Sequence, residues 1–362
     1  MEKIPIVLVS GYIGSGKTTI INQIGTACKR PAVITYEPAN VTLVEQIHDV
    51  RKRTTTHHHC SSLFHAKTVD EMLSTLDKLA KDCSADNIFI ELAGTVEPYS
   101  IARLLENHKQ EPYSLKSVLT VIDAKNFWFD FTSNTEVLFN EVECSEHLSI
   151  ADVLVEQIEF CSSLILNKCS AVSKESSDEL KWLLEKLQKE ASIIKTTTGE
   201  IHLQDVLDEN ELDISKIKMS AGWISALMKK KNRFQLVDDY GIGSFIYERD
   251  IPFHPERFQQ WFEYFPPEII RSKGILWSIS ELDTPLLLSQ AGRSLTLEEG
   301  ADWDYFQRKT DYLGKFSGRK TELVFIGIDL NREEIIKQLD SCLVTSEELQ
   351  QACVTCKSLL EN

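Results

Sequence analysis

Positive charge is what this sequence has least of. Its 39 lysines and arginines face 55 aspartates and glutamates, for a net charge of −16. A nucleic-acid partner normally needs a basic face, and none is evident, so no nucleic-acid partner is expected. The basic runs Arg51-Lys52-Arg53 and Lys229-Lys230-Lys231 are short and read as solvated loops. Long apolar runs are missing as well. No stretch reaches the about 18 residues of a membrane-spanning helix, so no membrane partner is expected. The chain enters a strand-like run at once, and no signal peptide is expected. Nine cysteines, an odd number without a secretory signal, point to reduced thiols in the cytoplasm. Cys353-Val354-Thr355-Cys356 has no second C-x-x-C to complete a four-thiolate site. Internal repeats and low-complexity segments are absent too.

What remains is an ordinary globular composition, 42% apolar and 26% charged over 362 residues, enough for two or three domains. Its organising stretch is Gly11-Tyr12-Ile13-Gly14-Ser15-Gly16-Lys17-Thr18-Thr19, which fits G-x-x-x-x-G-K-[ST]. The β-branched run Ile4–Ser10 precedes it, and a helix-like run to Cys28 follows. In that context Gly11, Gly14, Ser15, Gly16, Lys17, Thr18 and Thr19 form a phosphate-binding loop. The glycines let backbone N–H groups turn toward phosphate oxygens, and the helix N-terminus adds partial positive charge. Lys17 reaches the β/γ-phosphates, and the Thr18 hydroxyl ligates Mg²⁺.

Further strand-like runs are Ala32–Thr35, Asn87–Glu91, Ser117–Ile122, Ser163–Leu166 and Ser192–Ile194. They are dense in Ile, Val and Leu without alternation, as strands covered on both faces are. Helical spacing separates them, at Val69, Met72, Leu73, Leu76, Leu79 and Ala80, and at Leu180, Leu183, Leu184 and Leu187. The fold class is therefore α/β: a P-loop NTPase domain with a mostly parallel sheet, over residues 1–215. A linker over 216–240, a smaller α+β domain over 241–345 and a helical tail over 346–362 complete the expected organisation. Glu91-Leu92-Ala93-Gly94 ends the third run. In a P-loop fold the acid there lies near Mg²⁺, and Gly94 lets a backbone amide approach the γ-phosphate. Lys17, Glu91 and Gly94 are the expected catalytic residues.

Asn167-Lys168-Cys169-Ser170 resembles the guanine-reading Asn-Lys-x-Asp. A hydroxyl at Ser170 cannot accept the bidentate pair that a carboxylate accepts, so discrimination between GTP and ATP is weakened. His57-His58-His59-Cys60, with His65 beyond, combines imidazole and thiol donors suited to Zn²⁺ or a similar ion, or is a polar loop. In an extended loop His57 and His59 share one side and His58 faces away.

With these motifs in place the sequence resembles the CobW family of P-loop GTPases, relatives of the urease and hydrogenase nickel-insertion GTPases. The likeness rests on Gly11–Thr19, Glu37, Glu91–Gly94, Val121-Ile122-Asp123-Ala124 and Asn167-Lys168. In the second half it rests on Pro252-Phe253-His254-Pro255-Glu256-Arg257-Phe258, Arg271–Trp277 and Leu323–Gly327 with Asp329. The resemblance implies GTP hydrolysis with Mg²⁺, coupled to handling Zn²⁺ or Co²⁺ for a client metalloprotein; a homodimer is left open. Family members carry Cys-x-Cys-Cys where this chain has His57-His58-His59-Cys60. The implied ligands are then His57, His59 and Cys60, with Glu37 or His65 a fourth. The rival reading is a diverged nucleotide-binding regulatory module with little hydrolysis. A P-loop kinase is a third, against which the C-terminal signatures argue.

Overall fold

The computed structural model describes residues 3–37, 41–43, 62–81, 85–108, 113–133, 136–139, 147–196, 201–207, 212–228, 240–300, 303 and 319–349. It divides into two compact units, residues 1–222 and 223–362.

The first unit is built on seven strands. They are β1 (Ile4–Ser10), β2 (Pro31–Tyr36), β4 (Ser62–Ala66), β5 (Asn87–Leu92), β6 (Tyr113–Asp123), β9 (Ser163–Asn167) and β10 (Ser192–Lys195). Every pairing among them is parallel, in the order β10-β9-β6-β1-β5-β2-β4. Parallel strands need crossovers, and helices supply them: α1 (Lys17–Gly25), α2 (Val69–Lys81), α3 (Pro98–Asn107), α5 (Ile150–Glu159) and α6 (Lys174–Leu187). The α/β class read from the sequence is the one observed. Ile6, Val7, Leu8 and Val9 are all fully buried, so β1 is covered on both faces. Val7 and Val9 pack with Ile20, Ile21 and Ile24 of α1. The short helix α4 (Phe127–Phe131) follows β6, and three short strands, β3 (Val41–Leu43), β7 (Glu136–Phe139) and β8 (His147–Ser149), pair antiparallel in a separate sheet in the order β3-β7-β8.

Helix α5 starts at a capping box. Ser149 Oγ accepts from the Asp152 amide at 3.2 Å, and the Asp152 carboxylate accepts from the Ser149 amide at 3.0 Å. The stretch expected as a linker carries helix α8 (Gly222–Met228), preceded by α7 (Ile214–Met219). The expected helical tail beyond residue 349, with Cys353 and Cys356, lies outside the described residues.

The second unit is a five-stranded antiparallel sheet in the order β11-β15-β12-β13-β14. These strands are β11 (Ile242–Arg249), β12 (Ile269–Ser278), β13 (Glu281–Ala291), β14 (Ser294–Glu299) and β15 (Thr321–Ile328). Helices α9 (Pro255–Glu263) and α10 (Arg332–Ser341) share a core with it, built on Phe245, Tyr247, Phe253, Leu323, Phe325 and Leu339. Arg249 ties α10 to the sheet. Its Nε and Nη2 donate to the two oxygens of Asp340 at 2.8 and 2.7 Å, and Tyr247 OH donates to Oδ1 at 2.9 Å.

Phe253 is fully buried, with its ring 5.1 Å from Phe258 and 6.0 Å from Tyr247. Phe253→Ala is expected to cost about 3–5 kcal/mol, because the aromatic cluster cannot close over the gap. Equilibrium denaturation checks this, and a loss under about 1 kcal/mol contradicts the packing described.

Candidate functional site

All seven parallel strands end at one edge of the sheet, and β1 lies between β5 and β6 in the middle of it. The loop leaving β1 therefore meets the ends of both neighbours. Gly11, Gly14 and Gly16 have φ of 138°, 77° and 104°, values that L side chains rarely adopt. Gly16 also has no room for a Cβ, which would stand 2.4 Å from Asn167 Nδ2. Gly14 lies exposed at the lip, Ser15 is buried behind it, and Thr19 faces outward on α1.

Lys17 opens α1 and is buried. Its Nζ donates to the carbonyls of Gly11 at 2.7 Å and Tyr12 at 3.3 Å, its hydrogen-bond partners among the described residues. Burial lowers its pKa from 10.5 to about 8, against the opposing charges of Glu91 and Glu37. A buried cation beside the free amides of a helix N-terminus is a cradle for an anion.

At the next residue, Thr18 Oγ1 donates to Glu91 Oε1 at 2.6 Å. The parallel register sets this contact, since Glu91 stands level with Val9 of β1 and Thr35 of β2. A hydroxyl and a carboxylate so placed are hard oxygen donors of the kind Mg²⁺ takes, so these two residues fit the ion. Gly94 is buried just beyond β5, where a Cβ would stand 2.6 Å from Ile13 N. Ala93 N donates to Tyr36 O at 2.9 Å, which joins this turn to the end of β2. Glu37 follows β2 and is exposed; its amide donates to Ala66 O at 3.0 Å.

On the other side, β6 and β9 bring Asp123 level with Asn167. Asn167 Nδ2 donates to Ser15 O at 2.9 Å. Lys168, in the left-handed conformation at φ 61°, donates to Gly14 O at 2.7 Å and Asp123 Oδ2 at 2.6 Å. The motif expected near the base thus grips the phosphate loop with both side chains. Asp123 is held in turn by the amides of Lys125 and Asn126 and by Asn126 Nδ2. Ser170 is exposed on the turn Cys169–Ala171.

Of the residues expected to bind the transition metal, only Glu37 and His65 are among the described ones. His57, His58, His59 and Cys60 lie outside the described residues. His65, opposite Thr35 on β4, is exposed. Among the described residues no group of three or more His, Cys, Asp or Glu is placed to hold a metal ion. No described helix is long and apolar enough to cross a membrane.

Two residues of the site were not anticipated. Gln157 of α5 is fully buried, and its Nε2 donates to Gly94 O at 3.0 Å. The sequence carries little signal for it, since Asp152, Glu156 and Glu159 of the same helix are polar too. Asp130 of α4 is the second. Burial, and then the Asp123 charge, raise its pKa to about 6, with Lys168 opposing. Asp130 in turn adds to the burial that pushes the Tyr12 phenol up to about 12.

The family model described as CobW/HypB/UreG, nucleotide-binding domain matches residues 5–195. A second, the cobalamin synthesis protein cobW C-terminal domain, matches residues 242–343. The zinc-regulated GTPase metalloprotein activator 1 of Dictyostelium discoideum is 27% identical, over 96% of this chain and 81% of its own length. The zinc chaperone YjiA of Escherichia coli is 25% identical, over 92% of this chain and 97% of its own. The solved structure of the Zn(II)-bound YjiA GTPase covers 94% of this chain and 99% of its own, at 21% identity and a TM-score of 0.44.

Asp130 generates a pH prediction. With its folded pKa raised from 3.8 to about 6, the folded state binds more protons than the unfolded state in that window. This group's contribution is thus fully present below its unfolded pKa and is lost as pH rises through its folded value. Asp130→Asn is expected to stabilise the protein at pH 7.5 by on the order of 1 kcal/mol, discounted for its partial exposure. Relative to wild type the gain disappears by about pH 4. Denaturation midpoints at both pH values check this, and an equal gain at each contradicts it.

Proposed function

The chain belongs to the CobW/HypB/UreG family, and we propose that it is a Mg²⁺-dependent GTPase that couples nucleotide state to the binding and delivery of zinc to a client metalloprotein. The observation that carries the nucleotide part is the buried Lys17 ammonium at the mouth of the glycine loop, with Thr18 and Glu91 paired beside it. Lys17, with the loop from Gly11 to Thr19, holds the phosphates. Thr18 and Glu91 would hold Mg²⁺, which would supply neutralisation of phosphate charge. Gly94 presents its amide to the γ-phosphate, and Asn167 and Lys168 brace the loop and border the base.

The cargo reading draws on the names of the two relatives, both of which specify zinc. His57, His59 and Cys60 are its proposed ligands, with Glu37 or His65 a fourth, and cobalt is the alternative ion. Glu37 follows β2, whose Thr35 is level with Glu91, so the segment bearing these ligands leaves the sheet beside the nucleotide. The acidic charge and the lack of a described membrane-spanning helix support a cytoplasmic protein acting on another protein.

GTP turnover with Mg²⁺ tests the reading. Lys17→Ala is expected to lower it by at least about a hundredfold, since a buried cation aimed at developing charge is removed. Turnover surviving that change contradicts the assignment. A parent that binds GTP without turnover leaves instead the regulatory-module reading. Ser170→Asp is expected to sharpen the preference for GTP over ATP by roughly ten- to a hundredfold, as one charge-assisted bond is gained. Competition binding unchanged by that substitution shows that other groups read the base. Cys60→Ser is expected to weaken zinc binding far more than His58→Ala; equal effects in titrations contradict the ligand set.

A further inference from the structure

Gln157 stands apart from its surroundings. Val153, Leu154, Val155 and Ile158 of the same helix are buried apolar residues, and Gln157 is itself fully buried among them. Its Nε2 lies 3.0 Å from Gly94 O and 3.5 Å from Val96 O, so the amide donates into the turn after β5. Its own carbonyl accepts from Thr120 Oγ1 at 2.8 Å, which fixes this turn of α5 to β6. Its Oε1 is buried without a partner among the described residues. That is a cost to stability that an apolar side chain of the same length avoids. The amide is accounted for by what its nitrogen holds.

What it holds abuts the phosphate loop. A Cβ on Gly94 would stand 2.5 Å from Ile13 Cγ1 and 2.6 Å from Ile13 N. The peptide joining Gly94 to Thr95 is therefore gripped between the loop on one side and α5 on the other. A trans peptide points its C=O and N–H in opposite directions, so fixing the Gly94 oxygen also fixes the Thr95 amide. Val96 N donates back to Ala93 O at 3.0 Å and closes the turn.

We propose that Gln157 is a positioning residue of the nucleotide site. By holding the Gly94 carbonyl it sets the turn that faces the terminal phosphate, so that the triphosphate is distinguished from the diphosphate and hydrolysed. This rests on the GTPase reading above.

Gln157→Met in the full chain tests it, because methionine keeps length and removes the donor. The readouts are kcat and KM for GTP, Kd for GDP and for GTPγS, and the thermal midpoint. The expected result is a fall in kcat of roughly ten- to a hundredfold, as a misplaced group near the reacting atoms gives. GDP affinity stays unchanged and the GTPγS-to-GDP affinity ratio falls. Unchanged kcat with an unchanged ratio overturns the proposal. Equal losses for GDP and GTPγS overturn it too, since they mark a general structural role. A parent without turnover contradicts the GTPase reading, and the affinity ratio still decides the role of Gln157. If the methionine variant does not fold, Gln157→Leu, which also lacks a donor, is judged by the same readouts.

Discussion

An ammonium group buried against backbone carbonyls is the constraint around which the first unit is arranged. Lys17 keeps its charge at the cost of most of its hydration, and its lowered pKa records that cost. Only a rigid frame can hold it there, and the parallel sheet supplies one. Asn167 and Lys168 grip the carbonyls of Ser15 and Gly14 from one side, and Gly94 leans on Ile13 from the other. An arriving phosphate meets a loop whose shape is already fixed, which lowers the ordering cost of binding.

The same frame carries information outward. Val9, Glu91 and Thr35 stand in one row across β1, β5 and β2. The turn after β5 is bonded to Tyr36 at the end of β2 and to Gln157 of α5. Whatever moves Glu91 or Gly94 therefore bears on the start of the segment that leads to His57 and Cys60. In the proposed cycle the γ-phosphate supplies that movement, and the metal segment answers it.

Much of this was legible in the sequence. Strands β1, β5, β6 and β9 are buried on both faces, so each carries a run dense in Ile, Val and Leu without alternation, and the Gly and Lys spacing of the loop follows from phosphate geometry. Strand β4 escaped notice because Ser62-Leu63-Phe64-His65-Ala66 is a short edge strand without a β-branched residue. Strands β13 and β14 escaped because Pro285 interrupts one and the other ends exposed in Glu298 and Glu299. The roles of Asn167 and Lys168 as braces, and of Gln157 as a clamp, depend on residues far apart in sequence. Spacing within one motif cannot show contacts that only the crossovers create.

The central claim is that nucleotide state and metal affinity are one linked equilibrium. By linkage, a nucleotide that changes zinc affinity must have its own affinity changed by zinc to the same degree. The direct measurement is the zinc dissociation constant of the full chain with Mg²⁺–GTPγS and again with Mg²⁺–GDP. The account predicts a difference of about fivefold or more, within the usual range of coupling between sites. Equal zinc affinities in the two states would contradict it.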